Sequence, residues 1–313
     1  MANKKIGVIL LNMGGPDSLD AVQPFLYNLF SDNDIFQIPK LIQKPVAKLI
    51  SIFRAKKVRK YYELMGGKSP QKEQTFKQAK ALQEKLGDRY KVVVAMRYWS
   101  PFTEEALKEL LKEDLEKIIL LPLYPQFSTT TTGSSFNEFD RVYKKFNLNL
   151  PVQKIYSYHN HKLYIEAMVK QIKEHLQNYQ EYYFLFSAHS LPLKIIKNGD
   201  PYQKQTEETV KLIMKFFPNN RYSLAYQSKV GFVKWLEPMT DEEIVRLKKE
   251  GIEKLAIIPV SFVSEHSETL YELDIQYREI AENIGIKEFK RIPTLQNSEL
   301  FIECLEDLVV NNI

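Results

Sequence analysis

Short apolar runs rich in β-branched residues alternate along the chain with longer amphipathic stretches. The runs predict strands at Lys5–Leu11, Lys91–Ala95, Lys117–Leu123, Tyr182–Ser187, Ser223–Tyr226 and Lys254–Val260. Apolar positions at helical spacing predict helices over Thr103–Lys112, Leu163–Gln177, Pro201–Phe217 and Asp241–Lys249. A last amphipathic stretch, about Ser298–Val310, carries its own apolar stripe and must pack on something. Strands that alternate with helices imply βαβ units and parallel sheets.

The pattern also repeats. Pro101, Thr103 and Glu105 match Pro238, Thr240 and Glu242 at one offset, and without a gap the same offset pairs Leu110 with Leu247, Glu116-Lys117 with Glu253-Lys254, and Pro122 with Pro259. A weaker match aligns Val8–Pro16 with Phe184–Pro192 and sets Met13 against His189. The expected fold is α/β, with two similar Rossmann-like lobes joined near residue 150, each a parallel sheet flanked by helices. One lobe takes residues 1–150 plus 296–313, the other 151–295. Ligands of such sheets bind beyond the carboxyl ends of the strands, so the active cleft is expected between the lobes.

With 313 residues, 44% of them apolar and 12% aromatic, the chain can bury a core and is not disordered as its main state. No run reaches the roughly 20 apolar residues of a membrane span. The run Ile6–Leu11 leads into a Gly14-Gly15-Pro16 turn and does not read as a leader peptide. The single cysteine, Cys304, excludes an internal disulfide framework or a cysteine cluster within one chain. Together these favour a cytoplasmic protein. The net charge of +5 comes from one place. Between Asp34 and Glu63 there are eight bases and no acid, and without them 36 bases face 39 acids. That argues against a nucleic-acid coat and for one anionic partner or a membrane surface. Within this stretch, Leu41-Ile42, Val46, Leu49-Ile50 and Ile52-Phe53 alternate with bases. The spacing suits a helix with a basic face that could lie on an anionic membrane, or an ordinary surface helix over the core. Pro45 is expected to kink or interrupt it.

Five histidines are present. His175 falls on a polar helix face, and His159 and His161 flank a loop-to-helix junction. His189 ends an apolar strand, at the edge where site residues concentrate, although a structural histidine would fit there equally well. A second candidate is Ser264–Asp274, where Glu268 and Glu272 are four apart and Glu265 precedes Glu268 by three. Such a row of hard oxygen ligands can hand along a divalent cation, and it can equally be an acidic helix start followed by a solvated face. The hydroxyl-rich stretch Tyr124–Ser135 could bind an anion or cap a helix. Neither a nucleotide-binding glycine motif nor a Gly-x-Ser-x-Gly elbow occurs.

Several ordered segments together resemble ferrochelatase, the family that inserts ferrous iron into a porphyrin at the end of haem synthesis. They are Leu10–Pro16, Gly66–Pro70, Met96-Arg97-Tyr98, Leu123–Gln126, Thr131–Ser135, Phe186–Pro192, Gln227–Gly231, Trp235 and Ser264–Asp274. The likeness runs nearly end to end. It implies a metal chelatase (a lyase) that makes protohaem from protoporphyrin IX and Fe2+, releasing two protons. It implies catalytic roles for His189 and Glu268, with His266 beside them, and metal contact through His189 and Glu268 with a relay through Glu272 and Glu265. It places Met13, Arg54, Tyr62, Ser69, Arg97, Tyr98, Tyr124, Ser128 and Trp235 at porphyrin-binding positions. The stretch at about 38–60 resembles the lip that covers the porphyrin, and the resemblance adds a peripheral contact with the inner face of an anionic membrane.

Three departures from the family pattern bear on this reading. Gln276 stands at a further acidic position, which shortens the carboxylate row. Glu265 stands where many relatives have Asp. Thr129 replaces an internal cluster ligand and the C-terminal cysteines are missing, so no iron–sulfur cluster and no other cofactor is expected; Fe2+ is a substrate. Met13, where coproporphyrin-using relatives carry Tyr, favours protoporphyrin. The alternatives are a coproporphyrin or sirohydrochlorin chelatase, with a more basic cleft in the latter case, and a non-catalytic porphyrin or haem carrier in which Glu268 would be dispensable.

Overall fold

A computed structural model describes residues 4–36, 38–231 and 233–312. The chain forms two compact units, one running through Ser157 and resuming at Ile302, the other Tyr158–Phe301. In the first unit the order is β1 (Lys5–Asn12), α1 (Val22–Phe30), α2 (Lys40–Leu64), α3 (Gln71–Leu86), β2 (Tyr90–Met96), α4 (Thr103–Leu110), β3 (Leu115–Pro122), a π-helical turn (Thr129–Gly133), α5 (Ser134–Lys145) and β4 (Val152–Lys154). The second contains α6 (Lys162–His175), β5 (Tyr183–His189), α7 (Leu193–Lys197), α8 (Tyr202–Met214), β6 (Tyr222–Gln227), α9 (Thr240–Lys249), β7 (Lys254–Pro259), a π-helical segment (Glu268–Gln276), α10 (Tyr277–Asn283) and β8 (Glu288–Arg291). The last helix, α11 (Glu299–Val310), begins in the second unit and continues in the first, where Glu303 pairs with Lys85 at 3.2 Å.

Each unit holds a four-stranded sheet, ordered β2-β1-β3-β4 and β6-β5-β7-β8, and every pairing is parallel. β1 and β5 are central and are buried along nearly their whole length, which is why both read as unbroken apolar runs. Two strands that the pattern did not reveal, β4 and β8, each lie at one edge of a sheet, the opposite edges being β2 and β6. β4 and β8 have only three and four residues and are mostly half-exposed, so no apolar run marks them.

The repeat seen in the sequence is structural. Pro101 O accepts from Met96 N at 2.7 Å, and its counterpart Pro238 O accepts from Tyr226 N at 2.9 Å. The helices that follow, α4 and α9, start with Glu104-Glu105 and with Asp241-Glu242-Glu243, acids that complement the positive end of a helix dipole. In both units a π-helical stretch follows the third strand. Widened turns of this kind are frequent at functional sites.

Two features of the first unit differ from expectation. α2 runs through Pro45 without interruption. The proline deprives only the Leu41 carbonyl of its helical partner, and Leu41 is 94% exposed, so water can take that place. The faces of α2 are also inverted. Its buried stripe is Gln43, Ala47, Ser51 and Ala55, small or polar residues that let the helix approach α1 closely. Leu41, Ile42, Leu49, Ile52 and Phe53 point outward among the lysines. None of the described helices is long and apolar enough to cross a membrane.

Candidate active site

In a sheet ordered β6-β5-β7-β8, the crossovers leave β5 in opposite directions, so the crevice at the carboxyl ends of β5 and β7 is the natural place for a ligand. His189 is the last residue of β5, and Glu268 opens the π-helical segment after β7. His189 Nδ1 lies 2.7 Å from Glu268 Oε2. A carboxylate only accepts, so Nδ1–H donates and Nε2 is left as the nitrogen that can take a further proton. The backbone of His189 is clamped on both sides: its N–H donates to Ser261 Oγ at 3.1 Å, and its carbonyl accepts from the Tyr202 hydroxyl at 2.9 Å.

Glu272 lies one wide turn beyond Glu268. The π-helical geometry preserves what the four-residue spacing suggested, a shared face for the two acids. Ser228 joins them. Its hydroxyl is 2.5 Å from Glu272 Oε2 and 3.2 Å from Glu268 Oε2. Ser228 holds φ at +70°, a left-handed conformation that is unfavourable for a residue with a side chain. Gln227 Nε2 donates to the Glu268 carbonyl at 3.1 Å and to Glu272 Oε2 at 3.3 Å, while its own Oε1 accepts from Ser187 Oγ at 2.7 Å. The segment Gln227–Gly231 was a motif in the sequence, but nothing there marked Ser228 as the bridge between two carboxylates. Its place one residue past a strand end was the available signal.

The charges are mutually dependent. Burial opposes the protonation of His189, but the charge and hydrogen bond of Glu268 outweigh it and set the imidazole above its ordinary range. Burial likewise opposes ionisation of Glu268, and here the charge and hydrogen bond of His189, then His266 and Ser228, hold the carboxyl well below its usual range. Burial first, and then the negative charge of Glu268, push Glu272 up to about 7. The side chains of His189 and Glu268 remain 35% and 17% exposed, so the pair is reachable.

Two expected members of the cluster play other parts. His266 Nε2 is 3.8 Å from Glu268 Oε1, a charge contact rather than a hydrogen bond, and its Nδ1 donates to the Ser264 carbonyl at 3.1 Å. Glu265 does not join Glu268 and Glu272. Its carboxylate is engaged by Arg291 Nη1 at 2.9 Å, the Thr294 amide at 3.0 Å and the Thr269 hydroxyl, so it anchors the segment to β8 instead of standing in the acidic row. No group of three or more His, Cys, Asp or Glu among the described residues is arranged to hold a metal ion by itself. Trp235 bridges to Pro192 just beyond His189, and its buried indole N–H has no partner among the described residues.

In the first unit the remaining positions fall into three groups. Arg97 and Tyr98 leave the end of β2 and meet Asp32 and Ser134, two residues that carried no signal in the sequence. Met13 and Tyr62 belong to an apolar cluster with Val22, Phe25, Leu26 and Ala55, and Arg54 lies over the Phe30 ring at 5.5 Å with no carboxylate against it among the described residues. Tyr62 is fully packed there. Ser69, Tyr124 and Ser128 line the turns beyond β1 and β3. Ser69 fills the space over Gly15, where a Cβ would come within 2.5 Å of its hydroxyl, so that position must be glycine. Ser128 caps the first π-helical turn by accepting from Thr130 N at 3.1 Å, and burial pushes the Tyr124 phenol up. The hydroxyl run is therefore, at Ser128, a capping loop. The other three histidines stay outside the cluster; His159 pairs with Glu208 at 3.1 Å.

Comparison with known proteins gives the family and the fold. The ferrochelatase family model matches residues 5–313. The ferrochelatase of Sulfurihydrogenibium sp. is 65% identical over all of both chains. That of Aquifex aeolicus is 63% identical over 99% of this chain and all of its own. Among solved structures, SirB from Bacillus subtilis, determined with Fe3+, covers 98% of this chain and 95% of its own with a TM-score of 0.62 and 10% identity, a likeness of fold.

Proposed function

The chain belongs to the ferrochelatase family, and we propose that it inserts Fe2+ into protoporphyrin IX, making protohaem and releasing two protons as the last step of haem synthesis. The observation that carries the mechanism is the 2.7 Å contact between His189 Nδ1 and Glu268 Oε2. It turns the imidazole so that Nε2 is the free nitrogen, and the carboxylate makes that nitrogen a stronger base. Nε2 takes the first pyrrole proton once the resting imidazolium has released its own. Glu268 stabilises the imidazolium that re-forms. Glu272, poised near neutrality, exchanges a proton through Ser228 and carries the second proton away, or offers a hard oxygen to the incoming iron.

The relay in this reading runs through Glu268, Ser228 and Glu272 and leaves out Glu265. Iron passes through as a substrate and no resident cofactor takes part. Met13, Arg54, Tyr62, Ser69, Arg97, Tyr98, Tyr124, Ser128 and Trp235 remain the residues proposed for the porphyrin. Arg54 suits a propionate because its guanidinium meets no carboxylate of the described chain. The outward apolar residues of α2 among its lysines support a peripheral contact with an anionic membrane, where a hydrophobic porphyrin would partition.

The test is anaerobic turnover of His189→Ala and Glu268→Gln beside the parent chain, followed by absorbance, with circular dichroism to check the fold. Loss of a positioned proton acceptor lowers the rate by about 100-fold or more. Near-normal insertion in both variants would overturn the mechanism. Porphyrin binding without turnover in the parent chain would make it a carrier.

A further inference from the structure

We propose that Asp32, in the connection between α1 and α2, is a positioning residue that orients the Arg97 guanidinium for the porphyrin, with the buried Tyr98 hydroxyl bracing it. The inference rests on the functional reading above. Asp32 is itself almost wholly buried, its side chain 5% exposed. One oxygen, Oδ2, takes three donors: the Tyr98 hydroxyl at 2.6 Å, Ser134 Oγ at 2.5 Å and Arg97 Nη2 at 2.9 Å. The other, Oδ1, accepts the amide of Asp34 at 2.9 Å and fixes the turn in front of α2.

A carboxylate buried this deeply is retained only if its charge is balanced and its lone pairs are filled, and both conditions are met by Arg97, Tyr98 and Ser134. The consequence for Arg97 is geometric. Nη2 is tied to Asp32, Nε donates to Ser134 Oγ at 2.8 Å, and the guanidinium lies 5.0 Å from the centre of the Tyr98 ring. Three contacts on one side leave Nη1 as the edge without a partner among the described residues, and the side chain is still 18% exposed. The fork is held by these contacts with one edge spare. Asn28 secures the other end by donating to the Tyr98 carbonyl at 3.0 Å.

Asp32→Asn keeps the shape and an acceptor but removes the charge that holds Arg97. The experiment is a double-mutant cycle with Asp32→Asn, Arg97→Gln and the pair. It reads kcat/KM for insertion, the Kd for protoporphyrin IX from quenching of its fluorescence, and Tm. If Asp32 acts through Arg97, each single variant loses about tenfold in kcat/KM, and Asp32→Asn on the Arg97→Gln background changes it less than about threefold. Should Asp32→Asn alone fail to fold, the double variant, in which the buried charge is balanced again, supplies the comparison with Arg97→Gln. Effects that multiply in the double variant overturn the proposal, since a merely structural acid would weaken both backgrounds alike. So does an unchanged Arg97→Gln in a parent chain that inserts iron. A parent chain that does not insert iron overturns the functional reading instead, and the cycle in porphyrin Kd then decides the role of Asp32 by the same rule.

Discussion

Glu272 offers the sharpest quantitative prediction. It is a buried acid next to a second, ionised acid, and its carboxyl is pushed up from 4.5 to about 7, by burial first and by Glu268 second. A carboxyl raised on folding destabilises the folded chain as pH increases. Below about 4.5 the group is protonated in both states and nothing is lost. Between 4.5 and 7 the unfolded chain releases the proton while the folded chain keeps it, so stability falls across that window. Above about 7 the loss is complete, and at 1.36 kcal/mol per unit it is about 3 kcal/mol. Glu272→Gln imitates the protonated form, can still accept from Ser228, and removes this penalty. The variant should match the parent in urea unfolding near pH 4.5 and gain up to about 3 kcal/mol at pH 8. It should also insert iron more slowly, because the exchangeable proton is gone; the acid is then a stability sacrifice made for function. A stability gap of the same size at both pH values, or a less stable variant at pH 8, would refute the reasoning.

Two further outcomes follow from the same geometry. Because Glu268 raises the imidazole of His189, Nε2 is free only above the ordinary histidine range, so the acid limb of kcat/KM should lie above the unperturbed value of about 6.5. In Glu268→Gln only the charge of Glu272 is left to oppose burial, and an NMR titration of the His189 ring should show its pKa fall; an unmoved ring would contradict the pairing. On α2, Leu41 and Phe53 are 94% and 79% exposed. If they enter lipid at about 1.5 kcal/mol each, the variant carrying Leu41→Ser and Phe53→Ser should bind anionic vesicles about 100-fold more weakly. Salt should release the parent chain from such vesicles, and equal binding to neutral ones would count against an electrostatic contact.

Much of this architecture was legible because parallel strands buried on both faces leave continuous apolar runs. β1, β2, β3, β5 and β7 all left one, and β6, an edge strand exposed at its start, left only Leu224-Ala225-Tyr226. β4 and β8 did not, since three or four half-exposed residues have no period to read. His189 stood out as a candidate by its place at a strand end, and Glu268 and Glu272 by their spacing, but only the family resemblance gave them roles. The division of labour within the acidic row was not. Glu265 is held by Arg291 and Thr294, which lie 26 and 29 residues further along, and only the folded sheet brings them together. Asp32 was hidden for the same reason, its partners Tyr98 and Ser134 being 66 and 102 residues away. The alternation of apolar and basic residues in α2 was visible, but not which face the fold would bury. Small residues at Ala47, Ser51 and Ala55 decided that by allowing close approach to α1.

The most direct measurement is anaerobic insertion of Fe2+ by the purified parent chain into protoporphyrin IX, coproporphyrin III and sirohydrochlorin, each followed separately by absorbance. The account predicts rapid conversion of protoporphyrin IX, abolished by His189→Ala and Glu268→Gln. Preference for coproporphyrin III would keep the chemistry of His189 and Glu268 and overturn the inference drawn from Met13. Insertion into none of the three would contradict the central claim.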